Sequence, residues 1–158
     1  MTGSQFLLRH ATPAEIDYIH DLNSVAWGGD LDVETYHLRE KMLASTTACK
    51  NGGLSCWVLV NPSENPNKVL SSCETIKKEA FISKPPVNGN LNSEVVEVVA
   101  QAIGAVFTPI EHRGKKYAGQ MLRLLADTLV RQDNKTFSVL FSDIGKVKST
   151  SASNIEPG

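Results

Sequence analysis

The segment from residue 106 to residue 125 constrains the fold of this chain more than any other stretch. A β-branched apolar run ends at Thr108, and an amphipathic helix is predicted to begin near Tyr117. Four basic side chains fall within five positions of the loop between them: His112, Arg113, Lys115 and Lys116. The first N–H groups of a helix have no acceptor within it, and the helix dipole leaves partial positive charge there. A strand, a cationic loop and a helix N-terminus are therefore typical of a phosphate-binding site, although such a loop taken alone is more often a solvated surface turn.

Length and composition set the class of protein. The chain has 158 residues, enough for one domain with a hydrophobic core, and its 41% hydrophobic and 21% charged residues are ordinary for a soluble globular protein. A net charge of −1 produces no global field that favours nucleic acid or a membrane surface. No apolar run approaches the roughly 20 residues of a membrane span, and the N-terminus lacks the pattern of a signal peptide.

Cysteine and histidine placement completes this picture. Cys49, Cys56 and Cys73 are odd in number and form no CxxC pair, so we expect reduced thiols in a cytoplasmic protein. The four histidines show no metal-ligand spacing, and no metal site is expected. Neither a GxSxG elbow nor a Walker loop nor a GxGxxG motif is present, so hydrolase, P-loop and dinucleotide-binding interpretations lack support.

Two helices are predicted in the N-terminal third. The capping box from Thr12 to Glu15, with proline at the first helical position, begins a helix that ends at Gly28. Its predicted buried face consists of Ile16, Ile19, Asn23 and Ala26. Asp32 is expected to cap a second helix that extends to about Ser45. Its apolar positions at helical spacing are Val33, Tyr36 and Leu43.

Five strands are predicted, at residues 6–8, 56–60, 69–82, 95–108 and 137–141, which places the helices in the order β-α-α-β-β-β-α-β. The third strand is expected to return antiparallel to the second. Gly104 inside the fourth strand predicts a β-bulge or a close backbone approach. In the predicted helix after the basic loop, one face is apolar: Ala118, Met121, Leu122, Leu125 and Leu129. Residues 146–158 are small and polar, and we expect a disordered tail.

This order of elements, with the string VFTPIEHRGKKYAGQML after the fourth strand, resembles the GCN5-related N-acetyltransferase superfamily. The loop motif of that family is Arg or Gln, two free positions, Gly, one free position, then Gly or Ala. Arg113 takes the first place here and Ala118 the last, whereas Lys116 stands where the family usually has glycine. A lysine there can offer its own N–H to a phosphate if its φ stays negative, and its side chain adds charge.

The resemblance implies the fold and the co-substrate. The fold class is α/β (α+β), with a mixed, mostly antiparallel sheet and flanking helices in a domain spanning residues 1–145. The co-substrate is acetyl-CoA. Its pyrophosphate is expected on the loop formed by Arg113, Gly114, Lys115, Lys116, Tyr117 and Ala118. Its pantetheine arm is expected to pair, like an added strand, with Val106, Phe107 and Thr108, where Gly104 parts the fourth strand from the fifth.

The acceptor of the acetyl group is expected to be a small primary amine, which must lose a proton before it attacks the thioester. Glu74 and Glu97 are the candidate bases on the predicted strands, because the family's frequent acidic position falls near Ala102, which is not acidic. Strings such as CETIKKEAF and HRGKKYAG resemble fungal lysine N-acetyltransferase-like proteins. That finer resemblance implies free lysine as the acceptor.

The family's next motif does not follow the fifth strand. Ser142 and Gly145 stand at its asparagine and alanine positions, and Lys148 and Ser149 stand at its Phe-Tyr pair. The family's tyrosine often protonates the leaving thiolate, and here it is absent together with its helix and the last two strands. We therefore interpret the chain as an acetyltransferase truncated after its fifth strand. The alternative is a non-catalytic remnant that at most binds CoA.

Overall fold

The computed structural model describes residues 5–84, 94–132 and 136–140. The elements follow the predicted order. They are β1 (Leu7–His10), α1 (Pro13–Trp27), α2 (Val33–Ala44), β2 (Leu54–Val60), β3 (Ser71–Lys84), β4 (Glu94–Phe107), a 3-10 turn (Ile110–His112), α3 (Tyr117–Gln132) and β5 (Thr136–Leu140). The expectations for residues 85–93 and 141–158, which include the polar tail and the missing motif, lie outside the described residues.

One sheet carries all five strands in the spatial order β1-β2-β3-β4-β5. The first three pairings are antiparallel, and β5 lies parallel to β4. Helix α3 connects these two parallel strands, as a parallel pairing requires a crossover. The mixed, mostly antiparallel sheet with flanking helices confirms the predicted fold class.

Alternating residues of β2 bury the two faces of the sheet against different helices. On one face, Trp57 and Leu59 pack in a cluster with the apolar stripe of α3, which consists of Met121, Leu125 and Leu129. On the other face, Val58 and Val60 pack with Ile19 of α1. The sheet is therefore the middle layer, with α3 on one side and α1 on the other.

Helix α1 begins as predicted. The Thr12 hydroxyl accepts the Glu15 N–H, and the Glu15 carboxylate accepts the Thr12 N–H at 2.8 Å. Both Glu15 oxygens also accept hydrogen bonds of 2.7 Å from Arg9 on β1. The Arg9 guanidinium lowers the pKa of Glu15 to about 2, so this cap also ties α1 to the sheet.

The predicted apolar faces of the two N-terminal helices are partly wrong. Ile19 and Asn23 of α1 are buried, but Ala26 is exposed. In α2 only Tyr36 is buried, whereas Val33 and Leu43 are exposed. Helix α2 contacts α1 rather than lying across the sheet, so a single aromatic side chain is sufficient to cover its narrow inner face.

The predicted irregularity in β4 is confirmed next to Gly104. Glu74 pairs with Gly104 and Ser72 pairs with Phe107, so β4 has one residue more than β3 between these pairs. At that bulge Ala105 has a φ of +47°, a value that residues other than glycine rarely adopt. Strand β5 pairs with β4 only from residue 99 to residue 103, so within the described residues the end of β4 lies beyond its partner. None of the helices in the described ranges is both long and apolar enough to span a membrane.

Candidate functional site

The basic loop connects the end of β4 to the start of α3. Gly114 and Lys116 adopt φ values of +78° and +64°, and the Gln120 N–H donates to the Lys116 carbonyl at 3.1 Å, as in a first helical turn. The condition of a negative φ at Lys116 is therefore not met. Instead, this lysine adopts the left-handed conformation that explains why the family usually has glycine there.

Arg113 does not offer its backbone N–H to a ligand, contrary to the expectation for this loop. That N–H donates to the Ile110 carbonyl at 3.3 Å and closes the 3-10 turn. The guanidinium Nε donates to the Thr108 carbonyl at 3.1 Å, and its central carbon lies 5.6 Å from the centre of the Phe107 ring. Arg113 therefore braces the end of β4 against the loop.

His112 is buried rather than being an exposed cation of the loop. Its side chain lies 6.0 Å from the Tyr117 ring, measured between ring centres, and neither of its ring nitrogens has a hydrogen-bond partner among the described residues. Burial, followed by the charge of Lys68, lowers the pKa of His112. The exposed positive charges of the loop therefore come from Arg113, Lys115 and Lys116.

The last residues of β4 are partly buried where the pantetheine arm is expected. The Ser71 hydroxyl donates to the Phe107 carbonyl at 2.8 Å and lies 3.1 Å from the Thr108 hydroxyl. Trp27, at the end of α1, contacts the Phe107 ring, with 5.8 Å between ring centres. Val106 and Ile103 pack against the α3 core cluster on the opposite face. The predicted arm site is thus anchored by β3, α1 and α3 together.

A pocket of about 310 Å³ opens beside the bulge, between α1, α2 and β3. Its lining consists of Asn23, Trp27, Tyr36, Arg39, Glu40, Glu74 and Ala105. Ala105 is the left-handed bulge residue, so the pocket and the predicted arm site share the same end of β4.

Glu74 faces this pocket from β3. Its side chain is 18% exposed, and its Oε1 lies 3.8 Å from the Cys56 thiol, which donates to it, and 4.0 Å from His20 Nε2. Burial, followed by the charge of Glu40, raises the pKa of Glu74. A desolvated carboxylate of this kind is a better proton acceptor than an exposed one.

Glu97 is not brought together with Glu74. It is exposed and pairs with Phe81, seven residues before Gly104 along β4. At about 3.3 Å per residue this separates it from the bulge by roughly 23 Å. Its role as a base stays a prediction, and the pocket favours Glu74.

Three residues in or beside the pocket were missed from the sequence, because the fold brings them together from separate elements. Two of them, His20 on α1 and Glu40 on α2, have ligand atoms within 4.8 Å of one another and of Glu74, a set that could hold a metal ion. The third is Asn23, which is 1% exposed and whose Oδ1 has no hydrogen-bond partner among the described residues. Its place on a predicted apolar face was the one indication that the sequence contains.

Comparison with known proteins finds an acetyltransferase among the curated relatives of this chain and several among the solved structures that share its fold. No family model matches. A curated lysine acetyltransferase of Yarrowia lipolytica is 31% identical over 151 residues, which is 94% of this chain and 34% of that protein. An uncharacterized protein of Saccharomyces cerevisiae is 28% identical over 162 residues, covering 84% of this chain and 39% of its own length. The chain therefore spans little more than a third of the curated relatives it matches.

Solved structures share the fold at low sequence identity. A GNAT family acetyltransferase of Staphylococcus aureus is 14% identical, with a TM-score of 0.58 over 97% of this chain and 96% of its own. Glucosamine-6-phosphate N-acetyltransferase of Arabidopsis thaliana is 15% identical, with a TM-score of 0.53 over 88% and 83%. A predicted acetyltransferase of Clostridium acetobutylicum, solved with acetyl-CoA, is 18% identical, with a TM-score of 0.51 over 87% and 80%.

Proposed function

We propose that this chain belongs to the GCN5-related N-acetyltransferase superfamily and transfers the acetyl group of acetyl-CoA to a primary amine held beside Glu74. The observation that carries the proposal is the position of Glu74. A partly desolvated carboxylate lines a pocket at the bulged end of β4, and that same strand end leads directly into the basic loop. A candidate base on β3, an acyl site at the end of β4 and an anion site in the loop that follows β4 are therefore neighbours, in the domain to which we assign residues 1–145.

The basic loop would hold the pyrophosphate of acetyl-CoA. With the Arg113 N–H used in the turn, the donor run begins at Gly114. Gly114 and Lys116 adopt the positive φ that occurs in backbone nests, which bind anions through successive N–H groups. The side chain of Lys115 supplies further positive charge, and the first turn of α3 supplies its dipole.

The chemical step is a direct transfer. The neutral amine attacks the thioester carbonyl, so a C–N bond forms while the C–S bond breaks. CoA leaves as a thiolate, which takes up the proton that the nitrogen loses as the amide forms. Glu74 accepts the proton that the acceptor ammonium must lose. Burial raises the pKa of the Cys56 thiol to about 12, so this neighbour of Glu74 stays a thiol and does not compete as a nucleophile.

Free lysine is the finer proposal for the acceptor. It is supported by the name of the Yarrowia relative and by the chemistry of the pocket. The two carboxylates that line the pocket, Glu40 and Glu74, suit a side-chain ammonium. The three cysteines are free thiols, which suits the proposed cytoplasmic location.

The test combines binding with turnover. Purified chain is titrated with acetyl-CoA by calorimetry and then assayed with lysine, following release of the CoA thiol and the mass of the product. Glu74→Gln is expected to bind acetyl-CoA like the wild type and to lose most turnover, whereas Glu97→Gln, its matched control, keeps it. Binding without turnover in the wild type would support the non-catalytic alternative, and the absence of binding by a folded chain would refute both.

A further inference from the structure

Asn23 is a buried polar residue of the pocket whose side-chain oxygen is unpaired. It is 1% exposed, and its Oδ1 accepts no hydrogen bond from any described residue. Leaving a buried acceptor without a partner costs about 1–3 kcal/mol, so such a group in a native protein is expected to meet a donor, such as a bound water, ion or ligand. Its neighbours on α1 make an apolar residue the expected choice at this position, since Ile19 one turn earlier belongs to the core.

The charged side chains around Asn23 leave a net negative charge. Glu40 accepts hydrogen bonds of 2.7 and 3.1 Å from Arg39, and both go to the same oxygen, Oε1. Arg39 therefore offsets one carboxylate, while no lysine or arginine in the described part of the chain forms an ion pair with Glu74. His20 does not supply a cation, because burial lowers its pKa and favours the neutral ring. The pocket is thus left with one net negative charge when Glu74 is ionised.

We propose that Asn23, Glu40 and Glu74 form a three-acceptor cradle for the ammonium group of an aliphatic amine, with Asn23 as a specificity-determining residue. An ammonium has three N–H donors and one positive charge, which match three acceptors and one unbalanced negative charge. The Arg39 guanidinium already lies over the Tyr36 ring, at 4.1 Å from its centre, so the Trp27 ring is the aromatic surface of the pocket that suits an alkyl stem. The role of the cradle in catalysis rests on the proposed function, but the binding of an amine to the cradle can be measured without turnover.

The cradle selects against two other classes of ligand. A neutral alcohol of the same shape supplies one donor and no charge, so it leaves acceptors unpaired. A carboxylate of the same shape is repelled by Glu40 and Glu74. We therefore expect 1-aminopentane to bind at least tenfold more tightly than 1-pentanol and pentanoate to show no binding, in calorimetric titrations of the chain with CoA present.

Asn23→Leu separates a binding role from a structural one. Leucine has nearly the shape of asparagine and leaves no unpaired oxygen, so the variant should melt at the same temperature as the wild type or a few degrees higher. It should nevertheless bind 1-aminopentane at least tenfold more weakly. Glu40→Gln should also weaken binding, whereas Glu34→Gln, on the exposed first turn of the same helix, should not.

The possible failures are distinguishable. If wild-type chain binds acetyl-CoA but does not prefer 1-aminopentane to 1-pentanol, the cradle is refuted while the cofactor site stands. Undiminished amine binding by Asn23→Leu refutes the assigned role of Asn23, even where lysine is acetylated. Should the wild type prefer the amine and yet show no turnover, the cradle is supported and the catalytic proposal fails.

Discussion

Lys116 provides the sharpest test of the loop geometry. Its φ of +64° is a conformation that costs a residue with a side chain about 1–2 kcal/mol relative to the right-handed region. Glycine avoids this cost but loses about 0.5–1 kcal/mol through the greater freedom of its unfolded chain. Lys116→Gly should therefore stabilise the folded protein by roughly 0.5–1 kcal/mol, which corresponds to about 1–4 °C in melting temperature for a chain of this size.

Lys115→Gly is the matched control. Lys115 is in the same loop and is not among the residues with positive φ, so glycine there relieves no strain. It should destabilise the protein by about 0.5–1 kcal/mol. Both variants remove one positive charge from the loop, so a difference between their melting temperatures reports the backbone conformation alone.

Thermal unfolding monitored by circular dichroism gives the stabilities, and calorimetric titration gives the affinity for acetyl-CoA. Lys116→Gly should bind acetyl-CoA more tightly than Lys115→Gly, since glycine also permits closer approach of the pyrophosphate. A Lys116→Gly protein that melts below the wild type by as much as Lys115→Gly would refute the left-handed assignment and the explanation for the family glycine.

Three pH-dependent predictions follow from the other titrating groups. The transfer rate should rise with pH through a pKa above the ordinary 4.5 of a glutamate, because Glu74 acts only when ionised, and this rise should be absent from the residual activity of Glu74→Gln. The free energy of unfolding should fall as pH drops below about 6.5, because the unfolded chain takes up a proton that buried His112 resists; urea titrations of His112→Phe should lack this component. Glu15 should stabilise the protein above pH 4.5 and lose that contribution as pH falls toward 2, and Arg9→Met should remove most of it in the same titrations.

Features encoded by neighbouring residues were predictable. The capping box of α1 and the loop–helix junction at Tyr117 follow from side chains within a few positions of one another, and both are confirmed. The bulge at Gly104 was also indicated locally, although the left-handed residue is Ala105, because the register between β3 and β4 decides which residue is extra. Local patterns are therefore sufficient to locate the basic loop and the helix that follows it.

Features that depend on packing were not predictable. The exposure of Val33 and Leu43 depends on how α2 lies against α1, which helical spacing alone does not contain. Glu40 is one of several acidic residues on a charged helix until the fold brings it near Glu74. Likewise, the use of the Arg113 N–H depends on the 3-10 turn that precedes it. The pocket proposed for the acceptor amine therefore depends on tertiary packing, whereas the basic loop can be recognised from the order of residues alone.

Several unfavourable features of this fold lie near the end of β4, and two of them, at Lys116 and Asn23, differ in their expected effect on binding. Strained or unpaired groups persist where the surrounding structure holds them, and they often mark functional sites. Lys116→Gly should raise the stability of the protein without weakening amine binding in the pocket, because glycine adopts the left-handed conformation more easily than lysine does. Asn23→Leu should raise the stability of the protein and abolish its selectivity for amines, because the unpaired oxygen that this substitution removes is itself the binding group. An unfavourable group that can be replaced without loss of binding is a tolerated substitution, whereas one whose replacement weakens binding belongs to the site.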